Sequence, residues 1–343
     1  MAEMQEALGL LATVERNSAL LRGLPLEDGP VEIAGSWAIR PGRVPADRMP
    51  LTLPPADERR AVGGAPVRAD ALLLGRASTS LLRLRGFYFD AGITVAAQGR
   101  LPLGRRSGLL AGAAVLDRLR GRGSLVLPAV RDRGRRLRHA WLVEELLDGR
   151  RFDPPQFRER LPELGDGLAE LWLAGGVRRI DLRALVDRSV VASIARLLDA
   201  GDGPPGRRPD LVDQLARLAL SRQRAFEGWC HGDPVHGNWL HLSDGRVALI
   251  DWELARRRPL GHDASKMLIA SPDPLAAVGP AAARLERFAR PTDAPWRLQV
   301  AASLARWIAA WPEDRAIAER TRAMDAYHRR LGQRLDLLEQ LLA

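Results

Sequence analysis

Residues 229–263 read WCHGDPVHGNWLHLSDGRVALIDWELARRRPLGHD and carry an unusual concentration of polar side chains. Four of the six histidines of the chain lie in this segment. Asp233 is followed five residues later by Asn238, and Asp251 lies thirteen residues beyond that asparagine. Carboxylate and amide oxygens are hard ligands of the kind that Mg2+ prefers.

A β-hairpin is predicted inside this segment. Residues 240–241 and 247–250 read as two short strands on either side of Ser243-Asp244-Gly245, which is a typical turn sequence. Such a hairpin would bring Asp251, at the end of its second strand, back to the loop that carries the first aspartate and the asparagine.

The spacing of the three oxygen ligands indicates phosphoryl transfer. In that chemistry one aspartate accepts the proton of the attacking hydroxyl, while an asparagine and a second aspartate bind metal at the phosphates. The five-residue interval from Asp233 to Asn238 matches the kinase catalytic-loop pattern H-R-D-x-x-x-x-N, with H-G-D in place of H-R-D. An isolated H-G-D would fit an ordinary polar hairpin, but the joint pattern favours a kinase-like lobe.

Composition sets the broad class of the protein. The 343 residues are 46% apolar and 27% charged, enough for one large two-lobed domain or two to three smaller ones. The longest apolar runs are far shorter than a membrane span, and the first residues lack a secretion signal. The single cysteine, Cys230, excludes an internal disulfide and a multi-cysteine metal site. A cytoplasmic enzyme without a membrane partner is expected.

The basic balance of the chain raises the question of a nucleic-acid partner. The net charge is +10, yet only one of the 52 basic residues, Lys266, is a lysine. The arginines are spread along the chain, and no zinc finger, RNP-type strand or basic heptad pattern is present. Nucleic-acid binding is therefore not expected, and the positive charge fits attraction of an anionic nucleotide better.

Periodicity divides the chain into three regions. Residues 1–68 are predicted to form an N-terminal helix and a proline-rich extension, residues 69–147 a strand-rich lobe with one helix, and residues 148–343 a mainly helical lobe. Strands are predicted at 31–33, 37–39, 72–74, 81–85, 93–98, 124–127 and 141–145, and helices at 3–21, 109–119, 155–174, 182–198, 211–226, 275–288, 296–311 and 315–342. The expected fold class is α+β with two lobes.

A hinge between the lobes is predicted at residues 146–151, which read LLDGRR. Main-chain groups from Glu144 to Leu146 are expected to meet the base of a nucleotide donor, ATP or GTP. This placement follows from the order of the elements, because backbone hydrogen bonds leave no side-chain signature.

The chain resembles the aminoglycoside phosphotransferase and choline kinase-like family, whose members have a protein-kinase-like fold. The resemblance is carried by HGDPVHGNW at residues 231–239, by LIDWE at residues 249–253 and by Asp263. It implies Asp233 as catalytic base, Asn238 and Asp251 as Mg2+ ligands, and His231 and Asp263 as supports of the catalytic loop. It also implies a small-molecule hydroxyl as acceptor and ATP or GTP as donor.

The chain departs from this family in two places. Kinases of this kind hold the α- and β-phosphates with a strand lysine that a helix glutamate orients. Here Gln98 aligns with the lysine, Arg100 lies two residues on, and Gly112 falls near the glutamate. Gln98 and Arg100 are therefore the candidate donor-site residues, with Arg105 and Arg106 as alternatives. In the catalytic segment, Pro234-Val235-His236-Gly237 replaces Leu-His-Pro-Gly. His236 is therefore predicted to face substrate or solvent, and Glu253 is a further candidate for facing substrate.

Three interpretations of the missing lysine and glutamate stay open. An arginine supplies the phosphate contact, although arginine is not equivalent to lysine. Alternatively, the enzyme binds its donor in another way and transfers phosphate to a small alcohol or to a serine or threonine of a peptide. The third interpretation is a pseudokinase-type protein that binds a ligand or partner without catalysis.

Overall fold

The structure, a computed structural model, describes residues 2–25, 31–44, 54–62, 67–75, 81–102, 107–200, 210–269 and 271–343. The strands are β1 (Val31–Ala34), β2 (Trp37–Ile39), β3 (Arg60–Val62), β4 (Ala71–Leu74), β5 (Leu82–Tyr88), β6 (Ile93–Gly99), β7 (Val130–Arg136), β8 (His139–Glu145), β9 (Gly149–Arg151), β10 (Arg178–Asp181), β11 (Arg224–Cys230), β12 (Trp239–Leu242), β13 (Val247–Leu249) and β14 (Arg256–Pro259). The helices are α1 (Ala2–Asn17), α2 (Ala19–Arg22), α3 (Gly108–Leu119), α4 (Pro154–Gly175), α5 (Arg188–Asp199), α6 (Leu211–Leu220), α7 (Gly261–Leu268), α8 (Pro274–Glu286), α9 (Trp296–Ile308), α10 (Trp311–Arg320) and α11 (Met324–Leu342). Within these ranges, no helix is long and apolar enough to cross a membrane.

The elements form two units. The first comprises Met1–Phe152 and Gly237–Ala255, and the second comprises Asp153–His236 and Arg256–Ala343. The first unit is rich in strands, whereas the second holds α4 to α11 and only three strands among its described residues. This division of secondary structure confirms the predicted α+β class. The predicted region boundaries at residues 68 and 147 stay a prediction.

The first unit is built on an antiparallel sheet with the strand order β3-β1-β2-β4-β5-β6-β8-β7. Helix α1 covers one face, where Leu82 and Leu84 of β5 join its apolar side chains in a buried cluster. Helix α3 packs on the other face against Ala96 of β6. Because side chains alternate along a strand, Arg83 and Arg85 point to the face of α3. Arg85 pairs with Ala96 across the two strands, which agrees with that orientation.

The second unit surrounds a small antiparallel sheet with the order β10-β11-β14. Helix α4 packs on α8, and α9 packs on both α7 and α11. Trp172 of α4 and Trp296 of α9 are fully buried, and their ring centroids lie 5.7 Å apart. Both rings therefore belong to the core of the second unit.

The predicted strand at 124–127 does not form; Val126 makes only an isolated bridge to Ala248. Strand β7 was not predicted, because its sequence VRDRGRR lacks apolar alternation. The sheet order explains this sequence: β7 lies at the edge, where charged side chains remain in solvent and block pairing with another chain.

Two helix predictions were too long. The helix expected at 211–226 ends at Leu220, and Phe226 belongs to β11. The helix expected at 315–342 is divided into α10 and α11 by a turn in which Arg322 has a φ of 54°. Apolar spacing continues through both interruptions, so periodicity alone does not reveal them.

Candidate active site

The predicted hairpin forms as β12 and β13 in the first unit. Trp239 pairs with Leu249, and the Leu242 N–H donates to the carbonyl of Arg246 at 2.9 Å. Gly245 takes a φ of 83°, a conformation that glycine adopts without strain. The Ile250 N–H donates to the carbonyl of Asn238 at 2.9 Å. The hairpin therefore holds the backbone of Asn238 one residue from Asp251.

Asp251 has an unusual backbone conformation. With φ 69° and ψ 57° it lies in the left-handed region, as do only three other non-glycine residues that the structure describes. Side chains rarely adopt this region, and residues held there often belong to functional sites. The Asp251 side chain is 39% exposed, so its carboxylate is accessible to a ligand.

Two arginines of β5 bind the carboxylates that follow the hairpin. Arg85 Nη2 lies 3.2 Å from Asp251 Oδ1, and Arg85 Nη1 lies 3.7 Å from Glu144 Oε2. Arg83 Nη1 lies 2.7 Å from Glu253 Oε1. Neither arginine was among the site residues predicted from the sequence. Their alternation in RLR within an apolar strand is the signal that would have pointed to them.

Burial raises the pKa of two carboxyl groups in this cluster, Glu144 and Glu253. Burial raises the pKa of Glu144 to about 7, even though Arg85 opposes the shift. Glu144 Oε1 is also a buried oxygen without a hydrogen-bond partner among the described residues. The pKa of Glu253 is raised by burial and then by the charge of Asp251. The Glu144 carboxyl therefore offers an unused acceptor at a site where a ligand is expected.

Gln98 and Arg100, the predicted donor-site residues, lie in different surroundings. Gln98 is buried; its Nε2 donates to Glu253 Oε2 at 3.4 Å, and its Oε1 accepts a hydrogen bond from Ser107 Oγ at 3.0 Å. Arg100 is directed to α1, where its Nε donates to Glu6 Oε1 at 2.7 Å. Among the described residues, the guanidinium beside Asp251 thus comes from β5 and not from the end of β6. Arg105 and Arg106 lie outside the described residues.

Helix α3 packs with its backbone against the turn that follows Asp251. A Cβ atom on Gly112 would lie 2.2 Å from the carbonyl oxygen of Trp252, and a Cβ on Gly108 would lie 2.5 Å from that of Glu253. Both contacts are far below van der Waals distance, so neither position accepts a larger side chain. The α3 helix therefore has no room for a glutamate at Gly112, and Glu253 of the adjoining turn supplies a carboxylate to the arginines of β5.

A cleft within the first unit reaches from the predicted hinge to Asp251. The space along its lining is about 490 Å3 when the open solvent at its mouth is included. Its apolar lining includes Leu146, Leu147, Leu240 and Ile250. Its polar lining includes Arg85, Glu144, Arg151 and Asp251. An apolar slot with charge at one end suits a nucleotide, whose base is flat and whose phosphates are anionic.

Two hinge N–H groups are already engaged in this cleft. The Leu146 N–H donates to the carbonyl of Gly92 at 2.8 Å, and the Glu145 N–H donates to that of Ala129 at 2.9 Å. A base could use the Leu146 N–H only by displacing that hydrogen bond. Glu144 and Leu146 line the cleft, but the Leu146 N–H is not free to receive a base, and the predicted contact with a base stays a prediction.

Arg151 is a further cation of the same cleft. Its Nε is a buried nitrogen without a hydrogen-bond partner among the described residues. Burial and the neighbouring charge of Arg85 lower the pKa of Arg151, whereas Asp251 acts in the opposite direction. An anionic group bound in the cleft would relieve the repulsion between the two guanidinium groups.

The second unit holds the loop that contains Asp233. His231 and Asp263 are fully buried. The Asp263 carboxylate accepts the N–H of His231 at 2.6 Å and that of Gly232 at 2.8 Å, while His231 Nδ1 accepts the N–H of Asp233 at 3.1 Å. Burial raises the pKa of Asp263. These contacts brace the loop.

Asp233 is bound by a residue of helix α7. Lys266 Nζ lies 2.8 Å from Asp233 Oδ1 and donates to the carbonyl of Gly232 at 2.7 Å. No contact between this lysine and the loop was predicted from the sequence. His236, in contrast, is exposed and lies beside Phe157, with 6.3 Å between the ring centroids.

The donor set around Asp251 fits a hard cation. Within the described ranges, no group of three or more histidine, cysteine, aspartate or glutamate side chains is arranged as a self-sufficient metal site. Asp251 and Asn238 are held at adjacent backbone positions and carry the kind of oxygen atom that Mg2+ prefers; Mg2+ usually completes its coordination with phosphate oxygens and water.

Three solved structures of phosphotransferases resemble the chain. The macrolide 2′-phosphotransferase of Brachybacterium faecium is 17% identical, with 76% of this chain and 91% of that chain covered and a TM-score of 0.46. The aminoglycoside phosphotransferase of Alicyclobacillus acidocaldarius is 17% identical, with 78% and 90% covered and a TM-score of 0.45. A spectinomycin phosphotransferase in complex with ADP and spectinomycin is 13% identical, with 80% and 93% covered and a TM-score of 0.48.

The family assignment rests on sequence. No curated protein matches the chain in a sequence search. The sequence model of the phosphotransferase enzyme family, however, matches residues 102–296, which is more than half of the chain. The match includes both the Asp233 loop and the β12–β13 hairpin. The chain therefore belongs to the phosphotransferase enzyme family and has the protein-kinase-like fold of that family.

Proposed function

We propose that the protein transfers the γ-phosphoryl group of a nucleoside triphosphate to a hydroxyl group of a small molecule. The observation that carries this proposal is the hydrogen bond from the Ile250 N–H to the Asn238 carbonyl, because it holds an amide and the accessible Asp251 carboxylate at adjacent positions. Membership in the phosphotransferase family supports the reaction class.

Each polar group has a distinct role in the proposed reaction. Asp233 is the base that accepts the proton of the attacking hydroxyl, and His231 and Asp263 hold its loop in place. Asn238 and Asp251 hold Mg2+, which neutralises phosphate charge when it is bound. Phosphoryl transfer needs little covalent assistance, so positioning and charge neutralisation account for most of the rate.

The donor nucleotide, ATP or GTP, occupies the cleft of the first unit in this proposal. Leu146 and Leu147 line the space for the base, and Glu144 offers its buried oxygen. Arg85 and Arg151 supply the positive charge that a strand lysine supplies elsewhere in kinases. Arginine is permanently charged and can bind phosphate oxygens with two N–H groups at once. In this proposal Arg85 and Arg151 bind the donor phosphates, the role that was predicted for Gln98 and Arg100.

A second candidate function is binding without transfer. It is favoured by two contacts within the cleft: the Leu146 N–H already binds Gly92, and Arg85 already binds Asp251. If both contacts persisted, neither the Leu146 N–H nor the Asp251 carboxylate would be available to a nucleotide. Nucleotide binding therefore separates the two candidates.

The test measures binding first and transfer second. We expect ATP or GTP with Mg2+ to raise the unfolding temperature, and we expect radioactive phosphate from the γ-labelled nucleotide to appear on at least one member of a panel of sugars, aminocyclitols and other small alcohols. A serine- and threonine-containing peptide mixture tests the alternative acceptor. No stabilisation by either nucleotide would overturn the proposal in favour of binding another ligand, and label on peptides alone would overturn the small-molecule acceptor.

A further inference from the structure

The single lysine of the chain is bound to the proposed base. Lys266 Nζ lies 2.8 Å from Asp233 Oδ1, and the lysine side chain is only 15% exposed. The same ammonium group donates to the Gly232 carbonyl at 2.7 Å. Two of its three N–H groups are thus directed at one loop, and one of those contacts is to the carboxylate expected to accept a proton.

One turn of α7 binds the backbone on both sides of the Gly232 Cα atom. Asp263 accepts the Gly232 N–H at 2.8 Å, while Lys266 binds the Gly232 carbonyl. Residues three apart on a helix lie on the same face, which is why these two side chains reach the same loop. The helix therefore fixes the backbone before Asp233 through Asp263, and it fixes the carboxylate itself through Lys266.

The presence of a lysine at position 266 is notable because every other basic residue of the chain is an arginine. Of 52 basic residues only this one is a lysine. A compact ammonium can bind a carbonyl and a carboxylate at once, whereas the planar guanidinium group needs more space. Lys266 also lies 5.5 Å from the ring centroid of Trp307, whose ring is approached by Arg334 at 3.9 Å. The ammonium group therefore lies within cation–π distance of the Trp307 ring.

We propose that Lys266 is a positioning residue for phosphoryl transfer, which orients the Asp233 carboxylate and offsets its charge. This inference rests on the proposed function. A γ-phosphoryl group is anionic, so an uncompensated carboxylate beside it would repel it. A cation on Asp233 Oδ1 reduces that repulsion and fixes the direction in which the carboxylate receives a proton.

The first arm of the test uses the uniqueness of the lysine and needs no turnover. Trace labelling with acetic anhydride, read by mass spectrometry, reports only Lys266 and the N-terminal amine. We expect Asp233→Asn to increase the labelling rate of Lys266 several-fold, because the ammonium loses its charged partner. Asp166→Asn, which removes the charge of another ion pair of the same unit, is the matched control and leaves the rate unchanged. Equal rates in wild type and Asp233→Asn would disprove the ion pair.

The second arm measures phosphoryl transfer from γ-labelled ATP to the small-alcohol panel and to water. Lys266→Gln keeps a hydrogen-bond donor for the Gly232 carbonyl but removes the charge, and we expect kcat to fall at least ~10-fold with the KM for ATP nearly unchanged. Lys266→Arg restores the charge but not the compact shape of the ammonium group, and we expect it to recover part of the lost rate. Arg284→Gln is the control for the loss of one charge from an ion pair.

The outcomes of the two arms separate the two proposals. Equal kcat in wild type and Lys266→Gln would overturn the positioning role even if transfer is observed. An inactive wild type would overturn the proposed function and the catalytic meaning of Lys266 with it. In that case faster labelling in Asp233→Asn would still establish the ion pair as a structural contact.

Discussion

Arg85 Nη2 lies 3.2 Å from Asp251 Oδ1, although the two residues are 166 positions apart in the chain. This contact places a permanent positive charge beside the carboxylate proposed to hold Mg2+. Burial by itself lowers the pKa of Arg85, but the negative charges of Asp251, Glu144 and Glu253 outweigh that effect, so the pKa is raised. The strand-rich unit contains no lysine, but Arg85 supplies a positive charge at the cleft.

Arg85→Met should weaken binding of Mg-ATP by about tenfold or more, equivalent to about 1.4 kcal/mol, because the phosphates lose a cation. Isothermal titration calorimetry measures the affinity. Arg133→Met removes an arginine from β7 of the same sheet, where it pairs with Asp117 at 2.7 Å, and should leave the affinity unchanged. Equal affinity in Arg85→Met and wild type would exclude Arg85 from donor binding.

Asp251→Asn should raise the Mg2+ concentration needed for nucleotide binding by roughly tenfold. Asparagine tolerates the left-handed backbone at this position better than alanine does, so the variant removes charge without added strain. Thermal shifts at fixed ATP and increasing Mg2+ give the measurement. An unchanged Mg2+ requirement would remove Asp251 from the proposed metal site.

Gly112→Ala should destabilise the first unit, because its new Cβ atom would meet the Trp252 carbonyl at 2.2 Å. Overpacking of this kind typically costs about 1–3 kcal/mol. Gly9→Ala is the matched control: Gly9 also lies within a helix, and a Cβ there meets nothing within 4 Å. That variant should gain about 0.5–1 kcal/mol from helix propensity. Urea unfolding compares the two, and equal stability changes would contradict the close packing of α3.

Glu144 should make stability fall as the pH rises from 4.5 to 7. Its pKa is raised from 4.5 to about 7 in the folded protein. Below pH 4.5 the carboxyl is protonated in both states and carries no penalty; between the two values the unfolded chain releases its proton first, which favours unfolding. Glu144→Gln removes this penalty, so its stability relative to wild type should rise across that interval by up to about 3 kcal/mol. Urea unfolding gives the free energy of unfolding of both proteins at each pH. A difference between them that stays constant from pH 4.5 to 7 would refute the buried charge of Glu144.

The β12–β13 hairpin was predictable because its signals are local. A Ser-Asp-Gly turn lies between two short apolar runs, and the interval from Asp233 to Asn238 is set by chain length alone. The α1 helix and most strands of the large sheet were predicted for the same reason, since each has its own apolar period.

The cation at Asp251 was not predictable from such signals. Arg83 and Arg85 alternate with Leu82 and Leu84, but sequence does not reveal which face of β5 meets α3. The register of β5 against β6, which sets Arg85 opposite Ala96, decides the position of the guanidinium group. Lys266 was missed because its contact depends on how α7 is docked on the Asp233 loop.

The most direct measurement is γ-phosphoryl transfer by Asp233→Asn compared with wild type. We predict that transfer to the preferred alcohol falls at least ~100-fold, while the thermal shift produced by Mg-nucleotide is unchanged. Asp244→Asn, in the turn of the hairpin and paired with Arg246, should transfer at the wild-type rate. Wild-type turnover in Asp233→Asn would contradict the proposed role of Asp233 as the base.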